Sequence, residues 1–270
     1  MRRKQEGEAL TELIQSRDNP KIREYCKLNQ GKQARRKLGK FTLEGKRIVL
    51  EALRSGVKAD YALIGAGSEN DPELQQALEE KAILVYSVSE AVEKRIAETS
   101  GPQGVYLVCQ AIEPCAPEAL YRAKKLLCLY DIQDPGNLGT MIRSADAFGF
   151  DGIVLSRNSC DLFSPKVLRS TMGSVFHLPY YIAEDMETFE REMQAHGRAS
   201  AAAVVSDAEL AVGYCNLPEI HLLYIGNEGN GLPEAFAKQC TYRVTLPMKG
   251  KAESLNAAMA ASVLMWELSK

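Results

Sequence analysis

Histidine is scarce in this chain, and its cysteines form no pattern. His177, His196 and His221 stand apart from any cysteine or acidic pair at helical spacing, and no C-x-x-C pair occurs among seven cysteines. A metal centre built on either residue type has no spacing to rest on, so no metal is expected. Cys26, Cys109, Cys115, Cys128, Cys160, Cys215 and Cys240 are odd in number and scattered, which predicts reduced and mostly buried thiols. No apolar run approaches the roughly 20 residues that span a bilayer, and the start Met1-Arg2-Arg3-Lys4-Gln5-Glu6 has no signal-peptide core. The expected location is the cytoplasm, without a membrane partner. The sequence also lacks G-x-x-x-x-G-K-[ST], which excludes a P-loop.

Little net charge is present either, only -2 over 270 residues, but its distribution is uneven. Residues 17–58 carry thirteen Lys or Arg against four Asp or Glu, so the remainder is acidic. The densest cluster is Lys32-Gln33-Ala34-Arg35-Arg36-Lys37, which makes Arg35, Arg36 and Lys37 candidates for contact with a nucleic acid, since cations that neutralise phosphates release counterions. A solvated helix face is the plainer reading of the same residues.

The length favours two domains. Asn19-Pro20 predicts the cap and first position of a helix carrying Ile22, Tyr25, Cys26 and Leu28, ended by Gly31. A strand at 41–43 and a helix carrying Ile48, Val49, Ala52 and Leu53 follow. Strands at 61–64, 83–86 and 105–109, with helices at 72–81 and 89–98, complete a small α/β module over residues 1–112. Residues 113–123, opening with Glu113-Pro114-Cys115-Ala116-Pro117, read as a linker. From 124 to 270, strands at 125–130, 152–155, 201–205, 222–225 and 242–246 alternate with helices at 138–148, 165–171, 186–195, 233–239 and 254–268. Near-continuous apolar strands alternating with helices predict a parallel sheet buried on both faces.

Three polar segments follow apolar strands in that second domain: Asp131 to Gly139 with Arg143 beyond, Ile225 to Leu232, and Leu246 to Asn256. Ligands bind at the carboxyl ends of parallel strands, so the three predict one shared pocket. Taken singly, Gly139, Gly226, Gly229 and Gly231 fit turns and Asn137 fits a helix cap. The G-x-x-G-x-G order of Gly226 to Gly231, followed by Leu232-Pro233, departs from a dinucleotide fingerprint.

Together, the segments Asp131-x-x-x-Asp134-Pro135-x-Asn137-x-Gly139-x-x-x-Arg143, Asn227-Glu228-Gly229-x-Gly231-Leu232 and Leu246-Pro247-Met248-x-Gly250-x-x-x-Ser254-Leu255-Asn256 resemble the three signature motifs of the SpoU/TrmH family in the SPOUT superfamily. The resemblance covers about residues 124–270. It implies a ribose 2'-O-methyltransferase that uses S-adenosylmethionine, on an α/β fold with a parallel sheet and a C-terminal trefoil knot. It further implies a homodimer, with the final helix packing across a two-fold axis; Ala257, Ala258, Ala260 and Ala261 suit that packing and suit an intrachain core equally. Ser16-Arg17-Asp18-Asn19-Pro20-Lys21-Ile22 and Phe41-Thr42-Leu43-Glu44-Gly45 resemble the ribosomal-protein-like RNA-binding domain often found ahead of this catalytic domain, in agreement with the basic charge. Ser170-Thr171-Met172-Gly173-Ser174 resembles a family element near the pocket, although small residues there also permit tight packing.

By position, the resemblance gives Gly226, Leu246, Met248, Gly250 and Leu255 to the cofactor. Arg143 becomes the group that binds the phosphate beside the target ribose and stabilises its alkoxide, because an arginine stays protonated and is a poor base. Asn137 would orient Arg143 or the ribose, Glu228 would fix neighbouring donors or cap a turn, and Ser254 and Asn256 would contact substrate or shape the cofactor loop. The two-domain layout favours 23S ribosomal RNA over transfer RNA. A non-catalytic RNA-binding protein of the same fold and a dinucleotide-dependent enzyme are the rival readings.

Overall fold

A computed structural model describes residues 12–270; the polar start Met1–Glu6 lies outside the described residues. The chain divides into two compact units, residues 1–112 and 113–270.

In the first unit, β1 (Glu12–Ile14) leads to α1 (Pro20–Gln30), whose start is fixed by Asn19: its Oδ1 accepts from Lys21 N at 2.9 Å, with proline at the first helical position. Ile22, Tyr25 and Leu28 bury the inner face of α1. The chain continues through α2 (Lys32–Leu38), β2 (Lys40–Glu44), α3 (Lys46–Arg54), β3 (Ala59–Gly65), α4 (Pro72–Glu80), β4 (Leu84–Val88), α5 (Glu90–Ile96) and β5 (Val105–Gln110). The sheet order is β1-β4-β3-β5-β2, with β5 antiparallel to both of its neighbours. Gly31 ends α1 as expected, and the basic cluster beyond it forms a second short helix.

The second unit begins earlier than the linker reading supposed. Residues 117–120 form a 3-10 turn whose Leu120 is buried in the core with Leu126 and Cys128, and Cys115 N donates to Tyr180 O at 2.8 Å. A lone leucine in a proline-rich stretch has no periodicity, so its burial could not be read from pattern. The elements are then β6 (Leu126–Leu129), α6 (Pro135–Ala147), β7 (Gly152–Ser156), α7 (Pro165–Thr171), β8 (Tyr180–Ala183), α8 (Met186–Ala195), β9 (Ser200–Ala203), β10 (Leu210–Ala211), β11 (Leu222–Ile225), α9 (Glu234–Gln239), β12 (Tyr242–Thr245) and α10 (Ala257–Ser269).

These strands form one sheet in the order β10-β12-β9-β11-β6-β7-β8, parallel at every pairing. β6, β7 and β11 are buried throughout, as an apolar strand covered on both faces must be. β8 and β10 escape the sequence pattern because both are short edge strands. α10 starts at Ala257 rather than at 254, because the Asn256 side chain accepts from Ala258 N and Met259 N and so caps the helix there. α6 likewise begins at Pro135, capped by Asp134, whose Oδ1 accepts from Asn137 N at 2.8 Å.

Gly139 faces α7 so closely that a Cβ on it would lie 2.3 Å from Ser170 Cβ and 2.9 Å from Val167 O. The small residues around Ser170 therefore serve packing between α6 and α7. All seven cysteines are free, with Cys109, Cys128 and Cys240 buried. Among the described residues, no group of His, Cys, Asp and Glu could hold a metal ion, and no helix is long and apolar enough to cross a membrane.

Candidate functional site

At the carboxyl ends of β9, β11 and β12 lies a cleft of about 1140 Å³. Its walls are residues 203–209, 226–232, 243–248 and 253–255, closed by Ala257, Ala260 and Leu264 of α10. Two of the three polar segments read from the sequence thus line it directly, and the third is joined to them by hydrogen bonds.

The junction is Asn137, in the first turn of α6. Its Nδ2 donates to Glu228 Oε1 at 3.1 Å, and its Oδ1 accepts from Asn256 Nδ2 at 3.0 Å. Glu228 also accepts from Asp134 N at Oε1 (2.9 Å) and from Gln133 N at Oε2 (3.1 Å). A carboxylate here meets the positive end of α6. Partial burial alone would raise its pKa, but the donors Asp134 N, Gln133 N and Asn137 Nδ2 outweigh that and hold it below the ordinary carboxylate range. Glu228 is therefore an ionised anchor between the loop after β11 and the start of α6, with no proton to donate and, its pKa being lowered, a weaker base than an ordinary carboxylate.

Asn227 supports the same loop by a role the sequence reading missed. Its Nδ2 donates to Asp131 O at 2.9 Å, while its Oδ1 accepts from Gly229 N and Asn230 N. Asp131 itself has a φ of +54°, and its side chain accepts from Ser156 Oγ at 2.6 Å. An asparagine bonding its own backbone two and three residues on is a turn signal that sequence does carry.

Gly226 permits the closest approach in the site. A Cβ there would stand 2.2 Å from Gly231 C and 2.3 Å from Leu232 N, distances that only glycine avoids. Leu246, Met248, Ser254 and Leu255 line the cleft with Gly226 and Glu228, whereas Gly250 and Arg143 are not among its walls. Among the described residues, the backbone of residues 246–255 makes no hydrogen bond with other backbone groups, and of this stretch Leu246, Pro247, Met248, Glu253, Ser254 and Leu255 line the cleft.

Residues 203–209, a fourth strand-end loop, were not singled out from the sequence, although the same strand-end rule applies to Ser206 and Asp207. Here Arg243 Nε donates to Glu209 Oε1 at 2.8 Å and Arg243 N donates to Oε2 at 2.8 Å. The side-chain hydrogen bond from Arg243 draws the Glu209 carboxyl below its ordinary range. Asp207, Glu228 and Glu253 add further negative charge around the cleft.

Arg143 is exposed on α6 and, among the described residues, has no hydrogen-bond or ion-pair partner. Its neighbour Asp146 pairs instead with His177 Nδ1 at 2.9 Å. Arg143 stands six residues past Asn137, roughly 9 Å along the axis and about 120° around it, so both Asn137 side-chain bonds go elsewhere.

The basic cluster of the first unit also separates. Arg35 is only 8% exposed, and its Nη1 donates to Leu28 O and Asn29 O, closing the C-terminal end of α1. Arg36 and Lys37 are exposed. Arg35 is thus a structural cation, and the candidate contact surface reduces to Arg36 and Lys37.

The family profile described as SpoU rRNA Methylase family matches residues 124–266, and one described as MRM3-like substrate binding domain matches residues 19–106. The 23S rRNA (guanosine(2553)-2'-O)-methyltransferase RlmP of Bacillus subtilis is 36% identical over 258 residues, covering 94% of this chain and 98% of its own. Among solved structures, an AdoMet-bound rRNA methyltransferase from Sinorhizobium meliloti superposes with a TM-score of 0.83 at 30% identity, over 96% of this chain and 97% of that one. The SpoU methyltransferase AviRb from Streptomyces viridochromogenes gives a TM-score of 0.81 at 26% identity, over 93% of this chain and 96% of its own. With two of its three polar segments lining one cleft, the third bonded to them, and the family profile matched over residues 124–266, the chain belongs to the SpoU rRNA methylase family.

Proposed function

We propose that this protein transfers the methyl group of S-adenosylmethionine to a ribose 2'-OH of 23S ribosomal RNA. The observation that carries this reading is the Glu228–Asn137–Asn256 chain, which locks two loops of the cleft to the start of α6, the helix bearing Arg143.

The cleft suits the cofactor on three counts. Gly226 lets the loop 226–232 close tightly on itself at the cleft wall, the wall residues Leu246, Met248, Ser254 and Leu255 have peptide groups not bonded to other backbone and so open to an adenine, and Asp207, Glu228 and Glu253 favour a cationic sulfonium and its amino group. Bound there, the cofactor supplies an electrophilic methyl group. The protein must align the ribose oxygen with that methyl and manage one proton.

Arg143 carries an uncommitted, permanent positive charge, so it serves as the phosphate ligand and as the stabiliser of negative charge on the 2'-oxygen. The proton leaves to the adjacent phosphate or to a transient base. Asn137, Glu228 and Asn256 are positioning residues, held by one another, and Ser254 faces the cleft from the loop that Asn256 ends.

A homodimer completes this arrangement. α10 presents Met259 (57% exposed), Val263 (40%) and Trp266 (52%) at i, i+4 and i+7. Such an apolar stripe on a packed helix calls for cover. α10 packs on α6 through Ser144 and Ser262, 2.8 Å apart, and Phe148 meets Trp266. Arg143 stands exposed on α6, the helix against which α10 packs.

The trefoil knot is supported by chain path. β12 lies next to the edge strand β10, yet α10 packs on α6 and β11, so residues 246–256 return across the ends of β9 and β11 beside loop 226–232. In the first unit, Arg36 and Lys37 mark the RNA-facing surface. Ribosomal RNA as substrate places the enzyme in the cytoplasm.

Transfer of labelled methyl from S-adenosylmethionine to ribosomal and, separately, transfer RNA from cells lacking the protein tests the reading. One alkali-resistant linkage in 23S RNA is the expected product; label in transfer RNA alone reassigns the substrate, and no label on either rejects the activity.

A further inference from the structure

Outside the cleft, Tyr214 is 67% exposed, yet it stands on a tightly held turn. Its N–H donates to Ala211 O at 3.0 Å, Val212 bridges to Cys215, and Gly213 takes a φ of +80°. That left-handed conformation favours glycine, so the turn is built into the sequence. The turn is also tied to the cleft wall. β10 pairs with β12, and Val212 N donates to Thr245 O at 3.1 Å, directly before the wall residues Leu246 to Met248.

Lys249 follows the wall residue Met248 in the chain, just outside the cleft, and its Nζ lies 5.9 Å from the Tyr214 ring centroid. This is the outer limit of a cation–π contact, and with Tyr214 67% exposed and Lys249 exposed, both groups stay open to solvent. An open aromatic ring on an ordered turn beside an exposed cation is the pairing that binds single-stranded nucleic acid: the base stacks on the ring while the cation neutralises a phosphate. An exposed tyrosine on a pinned turn also loses little conformational entropy when it is covered, because its backbone is already ordered.

We propose that Tyr214 and Lys249 form a nucleotide clamp at the mouth of the cleft, with Tyr214 stacking on a base of the RNA next to the methylated nucleotide and Lys249 contacting its phosphate. The clamp rests on the RNA methyltransferase reading and adds to it the surface that selects how the substrate strand enters. Neither residue lines the cleft, so neither is needed for cofactor binding.

The test compares Tyr214→Ala, Tyr214→Phe and Lys249→Ala with the unaltered protein. RNA binding and methyl transfer are measured on 23S ribosomal RNA from cells lacking the enzyme, and S-adenosylmethionine binding by calorimetry. Tyr214→Ala should weaken RNA binding and raise KM for RNA about tenfold, with cofactor affinity and Tm unchanged. Tyr214→Phe should match the unaltered protein, because stacking needs the ring and not the hydroxyl. Lys249→Ala should reduce the slope of log affinity against log salt by roughly 0.7–0.9. Unchanged RNA binding by Tyr214→Ala, or a parallel loss of cofactor affinity, overturns the clamp. Failure of the unaltered protein to transfer methyl counts against the underlying activity, while the binding comparison still decides the clamp.

Discussion

The side-chain amide of Asn137 is satisfied from both sides, donating to Glu228 at 3.1 Å and accepting from Asn256 at 3.0 Å. One residue in the first turn of α6 thereby sets the spacing between the loop after β11 and the start of α10. Exchange for aspartate keeps the size but replaces the donor with a second carboxylate against Glu228. Asn137→Asp should lower transfer about tenfold at neutral pH, since an unmade hydrogen bond of this kind costs about 1–3 kcal/mol. The defect should shrink as pH falls, because protonating the new carboxyl restores a donor. A pH series of kcat/KM for both proteins checks this, and a defect independent of pH refutes it.

Arg143 has no structural employment among the described residues, so its removal should leave the fold intact. Arg143→Ala should reduce single-turnover methyl transfer by about 10²–10³, the usual loss on removing one group that stabilises developing negative charge. Calorimetric affinity for S-adenosylmethionine should be nearly unchanged. Equal turnover would remove Arg143 from the chemistry.

Gly226→Ala directs a methyl group into the Gly231–Leu232 peptide at 2.2 Å, and backbone cannot yield as a side chain tip does. Overpacking of this kind costs about 1–3 kcal/mol or more. The expected outcome is lost cofactor binding with a lowered Tm, read by titration and thermal unfolding; tight binding by the variant would place the cofactor away from this loop.

Within the basic cluster, neighbouring arginines should behave differently. Arg35→Ala removes the buried cap on Leu28 O and Asn29 O and should destabilise the protein by about 1.5–3 kcal/mol. Arg36→Ala and Lys37→Ala should leave stability within about 0.5 kcal/mol and flatten the salt dependence of RNA binding. Thermal melts and salt titrations separate the two effects, and an unaltered salt slope would move the RNA surface elsewhere.

Glu190 is buried in the core of the second unit, between Gln194 Nε2 at 2.6 Å and Ser200 Oγ. Burial raises its pKa, only partly offset by the hydrogen bonds from Ser200 and Gln194. The folded state therefore holds the proton more tightly than the unfolded chain, and stability falls as pH rises from the ordinary carboxylate value through the raised one. Glu190→Gln, which stays neutral, should gain Tm over the unaltered protein in mildly basic buffer and lose that advantage near pH 4.5, the ordinary value for a glutamate. An advantage that grows towards acid would show that Glu190 is ionised in the fold.

Sequence alone determined much of this protein, because its signals are local. Proline and asparagine at 19–20 fix a helix start, near-continuous apolar runs fix buried parallel strands, and polar residues placed just past those strands mark a site. The same local logic could not tell Arg35 from Arg36, since only the packing of α1 against α2 decides which guanidinium is turned inward. It could not fold residues 113–123 onto the second unit, because one leucine carries no period. The partners of Asn137 were beyond it for a further reason. Glu228 and Asn256 lie 91 and 119 positions away, and such a contact depends on the order of strands in the sheet. The tertiary structure alone made Glu228 an anchor, placed Arg143 outside the cleft walls, and set Tyr214 beside Lys249, because each of these is a relation between loops that only strand order brings together.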